Sequence, residues 1–208
     1  SGLPSTKLLL LILHNNTIVQ LDLISKDTSK HTLSKLLNKC KTNMGSRLFE
    51  RRILNPLNSA DKINERYALI DILIQNQDTT NYISKCLDGI YDTERLFRRL
   101  SLNVISPYSL STLYYSVAHI HNIIRRLKKI KVAKQFGAKS KSVRKIIEYF
   151  DEVFDIDQLE KCTNTKKEVP IYIFQKGVHP DVDLLQENYT NLQLSLNNYV
   201  DTMNESID

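Results

Sequence analysis

Residues 42–57, TNMGSRLFERRILNPL, decide how this chain is read. Thr42 or Asn43 can cap a helix, because a side-chain oxygen there accepts from free backbone N–H groups of the first turn. Gly45 sits just inside, where a missing side chain lets another backbone come close. Leu48, Phe49, Ile53 and Leu54 form an apolar stripe with Arg47, Arg51 and Arg52 around it. Pro56 stops the helix, and Asn55 before it is pushed out of the α region. The segment is a short, basic, well-punctuated amphipathic helix.

Helical patterning extends both ways from it. Upstream, Leu33, Leu36, Leu37 and Cys40 fall on one helical face, after a polar loop at 25–31. Residues 17–23, TIVQLDL, alternate partly and open with β-branched residues, so they read as a short strand or extended link. Downstream, Ser59 can cap a helix whose stripe is Ile63, Tyr67, Ile70 and Ile74. A shorter helix carries Ile83 and Leu87 and breaks at Asp88-Gly89. Asp92 caps a helix through Leu96 and Leu100. Ser106-Pro107 starts a long one, with proline at the first position, where its missing N–H costs nothing. Its stripe is Leu110, Leu113, Val117, Ile120, Ile124 and Leu127. After a break at Gly137, Val143, Ile146, Ile147, Phe150 and Phe154 mark another helix. A loop at 163–170 and an extended stretch at 170–174 follow. Val182, Leu185, Tyr189, Leu192, Leu196, Tyr199 and Met203 then alternate steps of three and four. That seam predicts a long helix lying along another at a shallow angle, as intramolecular packing rather than an oligomer contact. The fold class is all-α: an antiparallel helical bundle ending in a long projecting helix.

The totals agree with a folded domain. The chain has 208 residues, 41% hydrophobic and 25% charged, which excludes gross disorder. A net charge of +6 favours polyanion partners weakly. Cys40, Cys86 and Cys162 lie far apart, which fits a reduced, intracellular protein. The apolar run at 8–13 is too short to span a bilayer, so no membrane partner is expected. Neither Ser1 nor Asp208 reads as a natural end.

The central string resembles the core, or lever, domain of the MutS mismatch-recognition family, whose pattern there is Thr-x-x-Gly-Ser-Arg-Leu-Leu-Arg-Arg-Trp-Leu-x-x-Pro-Leu. Thr42, Gly45, Ser46, Arg47, Arg51 and Pro56 match it. The likeness continues through Leu57, Ile63, Arg66 and Ile70. Asp92-Thr93-Glu94-Arg95-Leu96 is similar to the family's Asp-Leu-Glu-Arg-Leu. Residues 106–110 resemble the opening of the next lever helix, and 173–185 the segment leading to the clamp, with Gly177 and Asp183 in place. Asn38, Glu50, Arg52 and Tyr108-Ser109 depart from the pattern, and 118–169 matches little, as in a divergent branch.

The resemblance implies a parent protein that binds mispaired double-stranded DNA as a homo- or heterodimer of MutS-like subunits and uses ATP with Mg to become a sliding clamp. It implies three parts here: a connector at 1–32, a helical core at 33–180, and a long helix at 181–208 leading toward a clamp beyond this chain. The fragment itself carries no catalytic, cofactor or metal motif and is not expected to be an enzyme; the ATPase belongs to the parent. Nucleus, organelle and viral replication site are equally open.

Bland readings compete with every other motif. Gly137-Ala138-Lys139-Ser140 lacks the second glycine a phosphate-cradling loop needs before its lysine. His119 and His121, two apart, point to different helix faces, whereas metal-ligand pairs prefer three or four. Arg95 is expected to pair with Glu50 or Asp92 and tie helices together rather than touch DNA. The stretch 125–145 is the one credible nucleic-acid patch. It offers Arg125, Arg126, Lys128, Lys129, Lys131, Lys134, Arg144 and Lys145 as phosphate contacts, with Lys139 and Lys141 among them; a solvated helix end is the competing account. A stand-alone nucleic-acid-binding or protein-docking module is therefore the alternative to a lever.

Overall fold

The computed structural model describes residues 11, 13–25, 27, 29–137, 139–162 and 172–205. Ten helices follow in order among them: α1 (Asn15–Gln20), α2 (Leu33–Leu37), α3 (Asn43–Leu54), α4 (Ala60–Gln75), α5 (Gln77–Asp88), α6 (Thr93–Ser101), α7 (Pro107–Lys129), α8 (Ser140–Val153), α9 (Ile156–Lys161) and α10 (Pro180–Glu205). No strand ladder forms among the described residues; Phe154 and Phe174 form an isolated antiparallel bridge. The fold is all-α.

Local chemistry sets the boundaries. Thr42 Oγ1 accepts from Gly45 N at 3.1 Å and starts α3. Asp92 accepts from Arg95 N, Ser106 from Ser109 N and Asp155 from Gln158 N, capping α6, α7 and α9. Each cap satisfies a donor that the first helical turn cannot pair internally. Ser59 holds the N-cap position of α4 but makes no side-chain cap bond. Pro56 follows the end of α3, and its carbonyl accepts from Leu11 N at 2.8 Å.

α7 is the axis of the bundle, packed against α5, α6, α8 and α9. Tyr114, early in α7, meets Phe150, late in α8, while Lys128, late in α7, shares a groove with Ser140 at the start of α8. The two helices are therefore antiparallel. The middle of α5 meets late α7 through Tyr82 and Arg126, and the end of α5 meets the middle of α7 through Gly89 and His119, so that pair is antiparallel too. One core cluster holds Leu96, Leu113, Val117 and Phe150; a second holds Leu127, Val132 and Ala133 with Leu69, Leu73 and Ile83. Fully burying one such leucine contributes about 1.5–3 kcal/mol.

Three expectations are corrected. The 17–23 segment is helical through Gln20, not extended. Its β-branched residues have no strand to pair with among the described residues, so backbone groups are satisfied locally instead. The stripe on α4 faces outward: Tyr67, Ile70 and Ile74 are 50–59% exposed, while Leu69, Ile72 and Leu73 pack inward. The seam on α10 is also unpacked, with Leu185, Leu192, Leu196 and Tyr199 at 65–71% exposure. No other described helix packs along that seam; only the base of α10 is tied to the body. Smaller differences are that Cys40 lies beyond the end of α2 and Phe154 just beyond α8. The loop at 163–170 and most of 1–14 lie outside the described residues.

Candidate functional site

Three joints hold the helices of this domain, and each can be built from its residues. The first ties α3 to α6. Arg47 Nη1 donates to Asp92 Oδ2 at 2.6 Å, and Nη2 donates to Asp92 Oδ1 at 2.9 Å and to Glu94 Oε2 at 2.6 Å. The planar guanidinium matches a carboxylate fork, which a lysine cannot do. Arg47, donating to it, holds the Asp92 carboxyl below its ordinary value, and the two carboxylates push the guanidinium further up. Beside this clasp Thr93 Oγ1 donates to Met44 Sδ at 3.1 Å.

The arginine expected in that role was Arg95. Arg95 instead gives its backbone N–H to Asp92 and adds only its charge nearby. The strings containing Arg47 and Asp92 are thus brought together, but through a different arginine. Gly45 lies against Thr42 Oγ1 and Cys40, 3.0 and 3.4 Å from where a Cβ would stand, so its nearest neighbours are the helix's own cap and a residue shortly before that cap. Ser46 is a half-buried position in the first turns of α3. The Arg51 carbonyl accepts from Asn55 N and Nδ2, both at 3.0 Å, closing that helix. Arg66 is exposed beside a groove between α4 and Phe136.

The second joint is the corner between α5 and α6, set against the middle of α7. A Cβ on Gly89 would stand 2.4 Å from His119 Nε2, so any larger residue there must displace the His119 ring. Two residues on, Tyr91 N donates to Ser116 Oγ at 3.1 Å, and that hydroxyl donates to Thr112 O at 2.8 Å. Ser116 is fully buried and Ile90 is 8% exposed. This corner delivers Asp92 to Arg47. Its signal in sequence was Asp88-Gly89, legible as a break but not as a contact. Nδ1 of His119 and of His121 is buried without a hydrogen-bond partner among the described residues.

The third joint anchors α10. Residues 172–175 run beside the end of α8: Asp155 N donates to Ile173 O and Gln175 N to Val153 O, both at 2.9 Å. Rings pack one against the next along this staple, only Phe154 and Phe174 of them stacked. Tyr114, Phe150, Phe154, Phe174 and His179 follow one another with centroid separations of 5.9, 5.5, 5.6 and 4.6 Å. The contiguous path runs from the middle of the bundle to the first residue before α10. Gly177 turns the chain at φ +91, a conformation costly for other residues. Its N–H donates to Asp183 Oδ2 at 2.8 Å, and Tyr172 Oη donates to Asp183 Oδ1. Gly177 and Asp183, singled out by resemblance, thus form one device that sets where α10 begins. The aromatic path itself was missed, because its members sit on three separate segments.

Tyr114 also donates to Asp151 at 2.8 Å, and its pKa is pushed up to about 12, first by burial and then by that bond. Tyr115, burial acting first, is raised as well and donates to Glu160 at 3.1 Å. The basic stretch divides. Arg126 lies 4.3 Å over the Tyr82 ring, with Arg125 and Lys129 nearby. Arg144 pairs with Glu148 at 2.7 Å. Lys128, Lys131, Lys134, Lys139 and Lys141 converge on one open groove. Lys145 is exposed on α8, apart from both groups. Among the described residues no three His, Cys, Asp or Glu side chains gather as metal ligands, and no helix is long and apolar enough to cross a membrane.

These joints define an all-α domain in which a small antiparallel bundle carries one long terminal helix on a stapled base. The chain belongs to the MutS family: the family model for MutS domain III matches residues 16–208. It is 32% identical over 203 residues to a mimivirus DNA mismatch repair protein mutS homolog, covering 88% of this chain and 17% of that protein. It is 35% identical over 113 residues to the DNA mismatch repair protein MutS of Thermosipho melanesiensis, covering 54% and 14%. A mitochondrial mutS homolog from Sarcophyton glaucum is 33% identical over 155 residues, 72% of this chain and 16% of that protein. The chain spans less than a fifth of the length of these relatives.

Proposed function

We propose that this domain is the lever of a mismatch-recognition protein, a stiff arm that passes a nucleotide-driven movement from an ATPase domain to a DNA clamp. In this reading the parent holds mispaired duplex DNA as a dimer of MutS-like subunits and consumes ATP with Mg. Residues 1–32 lead in, 33–180 form the body, and 181–208 lead toward the clamp. The fragment supplies no reaction of its own. The parent works in whichever compartment holds its DNA.

The observation that carries the reading is the stapled base of α10. A helix of 26 residues runs without a break, and one continuous ring path ties the residue just before it to α8 and α7. Packed elements of this kind move as bodies between discrete arrangements rather than bending continuously. Membership of the MutS family supports the assignment of movement and partners.

Phe174→Ala in the full-length parent tests it. The variant is expected to bind mismatched duplex and hydrolyse ATP near the parent's rates, while ATP-triggered release from an end-blocked duplex slows at least tenfold. Unchanged ATP-triggered release would refute the lever.

A further inference from the structure

Charge in this chain is segregated. Between Glu94 and Glu148 there is no aspartate or glutamate, and residues 125–145 alone carry ten lysines and arginines. That exceeds the whole chain's net charge of +6, so the remainder is net negative. The fold then sorts these cations. Two are committed, Arg126 to the Tyr82 ring and Arg144 to Glu148. Five others, Lys128, Lys131, Lys134, Lys139 and Lys141, line one open groove of about 730 Å³ between the end of α7 and the start of α8.

Three features make the groove more than a run of surface charge. Its lining contains no carboxylate, and none of its five ammonium groups forms an ion pair among the described residues. The turn that folds the lysines inward is fixed: Lys131 stands at φ +60, a costly conformation for a side-chain-bearing residue, while Val132 beside it is 2% exposed. The positive end of the α8 dipole opens into the same space, with Lys139 at its N-cap and Ser140 and Ser142 beside it. Holding like charges this close costs energy unless an anion neutralises them.

We infer that this groove binds the phosphate backbone of duplex DNA, a contact additional to whatever grips the mismatch. The choice of duplex DNA rests on the proposed function. Among the described residues the groove lining holds no aromatic side chain, which disfavours base stacking and single strands. Lysines acting as point charges contact phosphates without reading sequence.

The test uses the 208-residue chain and a fluorescein-labelled 20-base-pair duplex of arbitrary sequence, titrated by anisotropy from 50 to 200 mM NaCl. Neutralising up to five phosphates gives a slope of log K against log salt near −4.5, roughly a 500-fold loss over that range. Lys131→Gln, Lys134→Gln, Lys139→Gln and Lys141→Gln together are expected to flatten the slope to about −1. If that variant loses helical circular dichroism, the Lys139→Gln, Lys141→Gln pair reads the same effect, a slope smaller in magnitude by about 2. No binding at 50 mM, or equal slopes for parent and variants, overturns the inference. So does sodium tripolyphosphate or a matched single strand binding as tightly as the duplex. Failure here leaves the lever untouched, since an arm need not touch DNA; failure of Phe174→Ala to uncouple leaves the groove untouched.

Discussion

Gly89→Ala, made alone and with His119→Ala, probes the corner that brings Asp92 to Arg47. The Gly89 backbone, at φ −89 and ψ 2, is one alanine adopts freely. Restricting the unfolded chain would by itself stabilise by about 0.4–1 kcal/mol. Against this stands a collision. The new Cβ would lie 2.4 Å from His119 Nε2 and 2.7 Å from Cδ2, where ordinary contact begins at 3.4 Å, so the ring must shift by about 1 Å. The ring is the group that must yield, and its Nδ1 edge is already buried, so its retreat carries a packing cost. Overpacking of this kind costs about 1–3 kcal/mol. Sterics win, and the net loss should be about 1–2 kcal/mol, or roughly 2–8 °C in Tm for a chain of this size.

His119→Ala alone removes packing but also an unpartnered nitrogen, so it should cost only about 1 kcal/mol. In the double variant the alanine methyl enters the space the ring vacates. The double should therefore resemble His119→Ala rather than the sum, a coupling of about 1–2 kcal/mol. Urea unfolding followed by far-ultraviolet circular dichroism measures all four corners of the cycle. Gly89→Ala as stable as the parent, or additivity within about 0.5 kcal/mol, would refute the close approach.

The clasp and the tyrosine make two further predictions. Arg47→Gln should destabilise at pH 7 and converge on the parent as pH falls through the lowered Asp92 value. The reason is that Asp92's depressed carboxyl contributes stability present above the unfolded value near 3.9 and lost as pH falls through the lowered one; urea midpoints showing a constant gap across pH would contradict it. Tyr114 titrates late, so its contribution is present below about pH 10 and lost as pH rises through about 12. Tyr114→Phe should remove the highest-pH component of the tyrosinate absorbance titration and cost about 0.5–1.5 kcal/mol at pH 7; survival of that component would show that burial and the Asp151 bond do not raise this group in solution.

Caps were readable because their chemistry is local. Thr42, Asp92 and Ser106 each need only a donor three residues ahead, and the sequence contains that donor. Packing direction was not readable in the same way. α4 carries two apolar faces, one through Tyr67, Ile70 and Ile74 and another through Leu69, Ile72 and Leu73; periodicity is satisfied by either, and only the position of α5 and α7 selects the second. Arg47 and Arg95 posed a similar choice. Both lie on helices near Asp92, but Arg95 is in the helix Asp92 caps, so its side chain is carried past the carboxylate while Arg47 meets it across the gap. The seam of α10 was legible as a helix and illegible as a surface, since a heptad pattern states that something should cover it without stating what. The lysines of the groove could be counted in sequence, but their convergence depends on the turn at Lys131.

The geometry of α10 sets what a base joint must do. At 1.5 Å per residue the helix is roughly 39 Å long, while the Phe154–Phe174 stack that holds it spans 5.6 Å. A rigid rotation about that stack therefore magnifies motion about sevenfold, so 1 Å at the rings becomes roughly 7 Å at the tip. The same ratio acts in reverse, and a sideways load at the tip reaches the rings multiplied. Stiffness along the rod comes from its own backbone hydrogen bonds, and three hydroxyls, Thr190, Ser195 and Thr202, bond back to carbonyls four residues earlier, a pattern that gently bends helices. A slight curve of the rod changes where the tip points but not how faithfully it follows the base. Slack at the base is lost outright, because every ångström of play there is an ångström the bundle can move without moving the tip. In the proposed lever, the doubled anchoring, backbone pairing at 173–175 together with packed rings, sits where an arm has least tolerance, and the exposed seam sits where it has most.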